Sequence, residues 1–185
     1  MLILASESPR RKQILKSLNL NFKVVPSKAD ESFDDFYPPE NIPLILAYKK
    51  AEAVAENYQN DTIIGADTVV IMNGKIFNKP GSKDEAVQTL QTLSGNTHKV
   101  ITGVCIKNLS DNLIIRFTET SFVTFRKLDN HIISEYISEV NVMDKAGAYA
   151  VQEKGSTVIE SLSGSISNIM GFPKEKFLES LNVFY

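Results

Sequence analysis

Cysteine is almost missing: Cys105 is the only one among 185 residues. No internal disulfide can form, and such usage fits a reducing compartment. Histidine is nearly as scarce, with His98 and His131 alone, which leaves no His-rich zinc site to build. A basic surplus is lacking too. Lys and Arg number 20 against 22 Asp and Glu, a net charge of -2, whereas a general nucleic-acid binder carries a positive excess. No apolar run approaches the roughly 18 residues of a membrane span. The most apolar stretch, Ile63 to Met72, is interrupted by Asp67. The start, MLILASESPRR, places apolar residues before charged ones, the reverse of a secretory signal. A cytoplasmic protein is expected, with no membrane and no nucleic-acid partner. Missing as well are the patterns GxxxxGK(S/T), GxGxxG, HExxH and GxSxG. P-loop NTPases, Rossmann dehydrogenases, zincins and α/β-hydrolases are thereby set aside.

What is present has the balance of a globular domain, 43% hydrophobic and 23% charged. At about 150 residues per domain, residues 1–185 are expected to form one. Short β-branched and apolar runs predict strands at Leu2–Ala5, Phe22–Val25, Thr62–Met72, Lys99–Lys107, Leu113–Phe125, Ala148–Gln152 and Thr157–Ile159. Helices are predicted after Ser8-Pro9, from Asn41 to about Tyr58, over Ser82–Leu93 with Ser82 and Glu85 as a capping box, over Leu128–Val140, and from Pro173 to near Leu181. Asn73-Gly74 is the strongest hairpin signal. The acidic, proline-containing stretch Ser27–Pro39 reads as a loop. Strands alternating with helices argue for an α/β domain with a mixed sheet.

Two segments carry the strongest chemical signals. Ser6-Glu7-Ser8-Pro9-Arg10-Arg11 leaves a strand and opens a helix, and it holds half of the four arginines in the chain. A helix N-terminus already favours anions, so paired arginines there are unfavourable in isolation. They fit a multiply charged anion held with the Ser6 and Ser8 hydroxyls, or else a solvated turn paired with acidic groups elsewhere. In Gly65-Ala66-Asp67-Thr68 a carboxylate breaks an apolar strand. A buried carboxylate must be paired, ligate a metal or act as a base.

Other positions are weaker on their own. Lys79 and the Lys49-Lys50 pair can balance phosphate charge, although lysines usually face solvent. His98 reads as a base or as a structural histidine, and Cys105 as core. Gln152 offers a donor and an acceptor suited to a base edge.

Taken in order, Ser6-x-Ser8-Pro9-Arg10-Arg11, Gly65-Ala66-Asp67-Thr68, Lys79-Pro80, Ser94-Gly95-x-x-His98-x-Val100-x-Thr102-Gly103, Asp144-Lys145-Ala146-Gly147-Ala148-Tyr149 and Gly171-x-Pro173 resemble the Maf family of nucleoside triphosphate pyrophosphatases over nearly the whole chain. Phe172 stands where leucine is usual. The resemblance implies a two-lobed α/β fold like that of inosine triphosphatases, with a long mixed sheet flanked by helices and a central cleft. It also implies a homodimer. The implied reaction is hydrolysis of a nucleoside triphosphate to the monophosphate and pyrophosphate with Mg²⁺ or Mn²⁺. Arg11, Thr68 and Gln152 form the set expected of the branch acting on dTTP and UTP, including modified pyrimidine triphosphates in a house-cleaning role.

In this reading Arg10, Arg11, Lys50 and Lys79 neutralise the triphosphate, with Ser6 and Ser8 as further donors. Register with the Lys-Ala that follows favours Lys50 over Lys49, and of the acidic pair Asp30-Glu31 the resemblance is matched to Glu31. Glu31 and Asp67 hold the metal, Asp67 is also the base, and Thr68 and Gln152 read the pyrimidine. The competing reading is a nucleotide-binding regulator of cell division without catalysis.

Overall fold

The computed structural model describes residues 1–34 and 36–182. The chain begins with strand β1 (Leu2–Leu4), helix α1 (Pro9–Ser17) and strand β2 (Phe22–Val24). A single 3₁₀ turn at Pro39–Asn41 leads into α2 (Ile42–Ala55), and β3 (Thr62–Met72) and β4 (Lys75–Phe77) follow. After α3 (Lys83–Leu93) come two long strands, β5 (Thr97–Asn108) and β6 (Leu113–Phe125), then α4 (Asn130–Glu139). The last part holds α5 (Gly155–Val158), β7 (Ile159–Ser163), α6 (Ile166–Ile169) and α7 (Lys174–Asn182). The strands make one seven-stranded sheet in the order β2-β1-β3-β5-β6-β7, with β4 folded back on β3. β1 runs parallel to β2 and β3, and the remaining pairs are antiparallel. The expected mixed sheet is therefore present.

β3 is apolar along most of its length because both its faces are covered. Ile63 packs with Ala47, Ala51 and Val54 of α2, while the next residue, Ile64, packs on the opposite face with Ile14, Leu15 and Phe172. Further along, Val70 joins a separate core with Leu90, Phe125 and Tyr136. Asp67 and Thr68 lie where the strand passes from one set of cores to the other. α2 lies unusually close to the sheet. A Cβ on Gly65 would stand 2.1 Å from the Ala47 carbonyl oxygen, and one on Gly103 would stand 2.4 Å from the Pro43 carbonyl oxygen. Both distances are far inside van der Waals contact, so only glycine allows this approach. Gly65 and Gly103 flank the position at which α2 brings Lys50 to Asp67.

Several boundaries differ from the sequence reading. Ala148–Gln152 is not a strand: residues 146–148 make a 3₁₀ turn, and Ala148 adopts a positive φ of 59°. The stretch is apolar because Tyr149 packs edge-on against His98 and Phe125, not because it pairs in the sheet. The expected strand at 157–159 starts later, at Ile159, and the single turn of α6 was not foreseen. Ser82 does cap α3, accepting from the Glu85 amide at 3.2 Å. The Glu85 carboxylate, however, reaches back to the Gly81 amide and not to that of Ser82.

Candidate active site

The N-terminus of α1 opens onto a cleft of about 300 Å³ whose walls include Ser6, Arg10, Glu31, Lys50, Lys79 and Asp144. Ser8 is the N-cap, its hydroxyl accepting from the Arg11 amide. The first-turn amides and the positive end of the helix dipole thus face the cleft, a setting suited to an anion. Ser6 Oγ accepts from the Ser8 amide at 3.2 Å and from Arg11 Nη1 at 3.1 Å. Lys79 follows β4 and has no carboxylate within ion-pair distance among the described residues. Its ammonium remains available to a ligand.

On the floor of the cleft, Lys50 Nζ stands 2.6 Å from Asp67 Oδ1 and 3.1 Å from Glu31 Oε1. Asp67 and Lys50 are almost completely enclosed, while Glu31 enters from the solvent-facing loop. Two carboxylates therefore converge on one cation. Their oxygen donors suit Mg²⁺ or Mn²⁺, and the residues present fit such an ion. No cluster of three or more potential protein ligands exists among the described residues. Water and phosphate oxygens would complete the coordination of any metal here, as is usual for Mg²⁺. Neighbouring Lys49 is turned away and donates to the Ser32 carbonyl at 2.7 Å.

The two arginines behave differently. Arg10 reaches across the cleft to Asp144, with Nη1 3.1 Å from Oδ2 and Nη2 3.2 Å from the Asp144 carbonyl. Arg11 is built into the wall. Its Nε donates to the Gly171 carbonyl at 2.9 Å and its Nη2 to Thr68 Oγ1 at 3.1 Å, in addition to the bond to Ser6. Burial lowers the Arg11 pKa, partly offset by the charge of Asp67. Arg11 thus ties α1 to β3 and to the 171 turn, and only its remaining N–H groups are left for a phosphate.

A second hollow adjoins the first and shares Ser8, Arg10, Lys79 and Asp144 with it. Thr68, Tyr149, Gln152 and Gly171 line it, with Val70, Val100 and Met170 as apolar walls. The first hollow is lined mainly by charged and polar groups, and the second adds apolar walls to the charged residues that the two share. That pairing fits a polyphosphate attached to a ring. All ten candidate residues read from the sequence line one or the other hollow except Asp67, which contacts the cleft through Lys50.

Two residues stand out that the sequence reading quoted within a motif but gave no role. Asp144 forms part of both walls and bridges Arg10 and Lys145. Desolvation acts to raise its pKa, but Lys145 and Arg10 outweigh it and hold the carboxyl below its usual range. Thr102 is fully buried behind Thr68. Their only sequence signal was membership of the resembling motifs. His98 lies outside the cleft: its Nε2 is 2.8 Å from the Tyr149 hydroxyl, in the core behind the second hollow. It is the structural histidine of the two readings.

The family model described as "Maf-like protein" matches residues 1–184. A Fusobacterium nucleatum protein named dTTP/UTP pyrophosphatase is 44% identical over 180 residues, covering 97% of this chain and 93% of its own. Proteins of the same name from Bacillus cereus (39% identical, covering 99% of this chain and 95% of that one) and a Geobacillus species (44%, covering 93% and 91%) are similar as well. Among solved structures, the Staphylococcus aureus Ham1 protein superposes with a TM-score of 0.53 at 13% identity, covering 99% of this chain and 96% of that one. A HAM1 protein from Coxiella burnetii gives a TM-score of 0.54 at 14% identity, covering 98% of each chain. That likeness is one of fold. The match over residues 1–184, together with relatives this similar along nearly their whole length, places the chain in the Maf family.

Proposed function

We propose that this chain, as one Maf domain over residues 1–185, hydrolyses dTTP and UTP to the nucleoside monophosphate and pyrophosphate. The observation that carries the reading is the convergence of Asp67 and Glu31 on one cation in a cleft that also receives a helix N-terminus. Relatives at up to 44% identity, named dTTP/UTP pyrophosphatases, support the choice of substrate, as does the triplet Arg11, Thr68 and Gln152. Modified pyrimidine triphosphates fall within the same class, because one methyl group is worth only about 1–3 kcal/mol of discrimination.

The chemistry follows from the residues. Arg10, Lys79 and the α1 amides, assisted by the Ser6 and Ser8 hydroxyls and the remaining Arg11 donors, bind the triphosphate and stabilise charge developing on its oxygens. Arg10 must exchange Asp144 for phosphate to do so. Lys50 holds the Asp67 and Glu31 carboxylates together at the cleft. Asp67 accepts the proton of the water that attacks the phosphoanhydride. Asp67 and Glu31 would hold a divalent cation, which when bound would supply further charge neutralisation on the phosphate oxygens. Thr68 and Gln152 read the pyrimidine edge in the second hollow. The protein is proposed to act in the cytoplasm as a homodimer, with no nucleic-acid partner. No described helix is long and apolar enough to cross a membrane.

Pyrophosphate release from dTTP, UTP, CTP, GTP and 7-methyl-GTP with Mg²⁺ or Mn²⁺ tests the reading. Selective release from dTTP and UTP is expected, with kcat reduced by several orders of magnitude in folded Asp67→Asn. Nucleotide binding without release from any of them would replace the enzyme with a binding protein.

A further inference from the structure

Behind Thr68 runs a chain of buried hydroxyls whose direction is fixed at both ends. Thr68 and Thr102 sit directly opposite each other in the β3–β5 pair, with their Oγ1 atoms 2.9 Å apart. Arg11 Nη2 donates to Thr68 Oγ1 at 3.1 Å, and a guanidinium cannot accept. At the other end Thr102 Oγ1 lies 3.1 Å from the carbonyl oxygen of Asn168, which cannot donate. Asn168 is itself immobilised: its side-chain amide donates to the Val100 carbonyl at 3.0 Å and to Ser121 Oγ at 2.9 Å.

A hydroxyl has one proton and two lone pairs, so two proton arrangements are available. In the first, Thr68 donates to Thr102 and Thr102 donates to Asn168, giving bonds of 2.9 and 3.1 Å. In the second, Thr102 donates to Thr68 and so gives up the Asn168 carbonyl, which is buried with it, while the Thr68 proton is left either to the hollow or to the Gly171 carbonyl at 3.5 Å, which already accepts Arg11 Nε at 2.9 Å. A hydroxyl bond of 3.5 Å is at the limit of the interaction. The first arrangement wins. One lone pair of Thr68 then receives Arg11, its proton is committed to Thr102, and a single lone pair is left for the hollow that Thr68 lines.

We infer that Thr102 is a specificity-positioning residue: by taking the Thr68 proton it makes Thr68 a pure acceptor, which selects a base carrying an N3–H donor. Uracil and thymine carry that proton, whereas cytosine presents a lone pair at N3 and meets an acceptor with an acceptor. Mispaired polar groups of this kind discriminate strongly because both are left desolvated. The inference rests on the reading that Thr68 faces the nucleobase, and it adds a residue that does not touch the ligand.

The test is the ratio of kcat/KM for UTP to that for CTP in wild type, Thr102→Val, Thr102→Ser and Thr68→Val. Thr102→Val removes the acceptor while nearly keeping the shape, so the Thr68 proton is free to turn into the hollow. The UTP:CTP ratio is expected to fall by about tenfold or more, with relative activity on CTP rising. Thr102→Ser restores the acceptor and is expected to retain the wild-type ratio. Inhibition by inorganic tripolyphosphate, which has no base, should be the same in wild type, Thr102→Val and Thr102→Ser. General loosening of the site would shift that inhibition as well.

An unchanged UTP:CTP ratio in folded Thr102→Val, with the ratio lost in Thr68→Val, overturns the role of Thr102 and leaves the base reading standing. A ratio unmoved by Thr68→Val overturns both. If Thr102→Val does not fold, Thr102→Ala and Thr102→Cys remove or weaken the same acceptor and are judged by the same ratio.

Discussion

Burial pushes the His98 imidazole down to about 4, and the unfolded chain would titrate it near 6.5. Between those values the unfolded state takes up a proton that the folded state refuses. The contribution of neutral His98 to stability is complete above pH 6.5 and is lost as pH falls toward 4, by about 3 kcal/mol in all. His98→Gln removes the titration and keeps a polar partner for the Tyr149 hydroxyl. Urea unfolding from pH 4 to 7 should give a shallower fall of stability with acid in the variant than in wild type. Parallel slopes would mean that the imidazole is solvated in the folded state. At this scale Asp67 was legible in the sequence because a carboxylate inside an apolar strand demands an explanation. Asp144 and Thr102 were not. Asp144 meets Arg10 across 134 positions of sequence, and nothing local to a threonine in a β-branched strand reveals the direction of its proton.

Helix α2 shows how one element delivers a functional side chain. Its length and apolar pattern were readable, with the boundaries drawn in from Asn41–Tyr58 to Ile42–Ala55. Its seating was not, since it depends on two glycines that come together from strands nearly forty positions apart. Gly65→Ala would force the Ala47 backbone to move, because the new methyl would stand 2.1 Å from its carbonyl oxygen. Overpacking of this kind costs about 1–3 kcal/mol or more, and the shift would also draw Lys50 off Asp67. A lower melting temperature together with a loss of kcat is expected. Asp67→Asn keeps both glycines and should still lower kcat by several orders of magnitude in a folded protein with α2 seated, so the pair separates seating from chemistry. A Gly65→Ala protein with wild-type melting and turnover would show that α2 does not need this close approach. The segment after Lys145 was misread for a related reason. Its apolar residues serve the packing of Tyr149 on His98 and Phe125, and a run that short does not distinguish a buried turn from a buried strand.

For the molecule as a whole, the two hollows belong to one cleft between cores that share only the central strands, so closing that cleft is the remaining step toward excluding water from the phosphates. Residues 27–34 are placed to do this. Glu31 reaches Lys50 and the Ser32 carbonyl receives Lys49, yet the stretch has no regular structure and Phe33 is exposed. Backbone with so few protected amides opens at low free energy. A nucleotide adds contacts only in the closed position, and the population shifts by its differential affinity for that state. Hydrogen exchange should therefore be fast over residues 27–34 in the free protein and slow once Mg²⁺ and a UTP analogue with a non-hydrolysable α,β linkage are added. The paired amides of β3 and β5 should stay unchanged, since they are hydrogen-bonded in the sheet in either state. Protection spread evenly over both regions would mean that ligand stabilises the whole fold without closing anything. No change over 27–34 would leave the loop as a passive edge carrying Glu31.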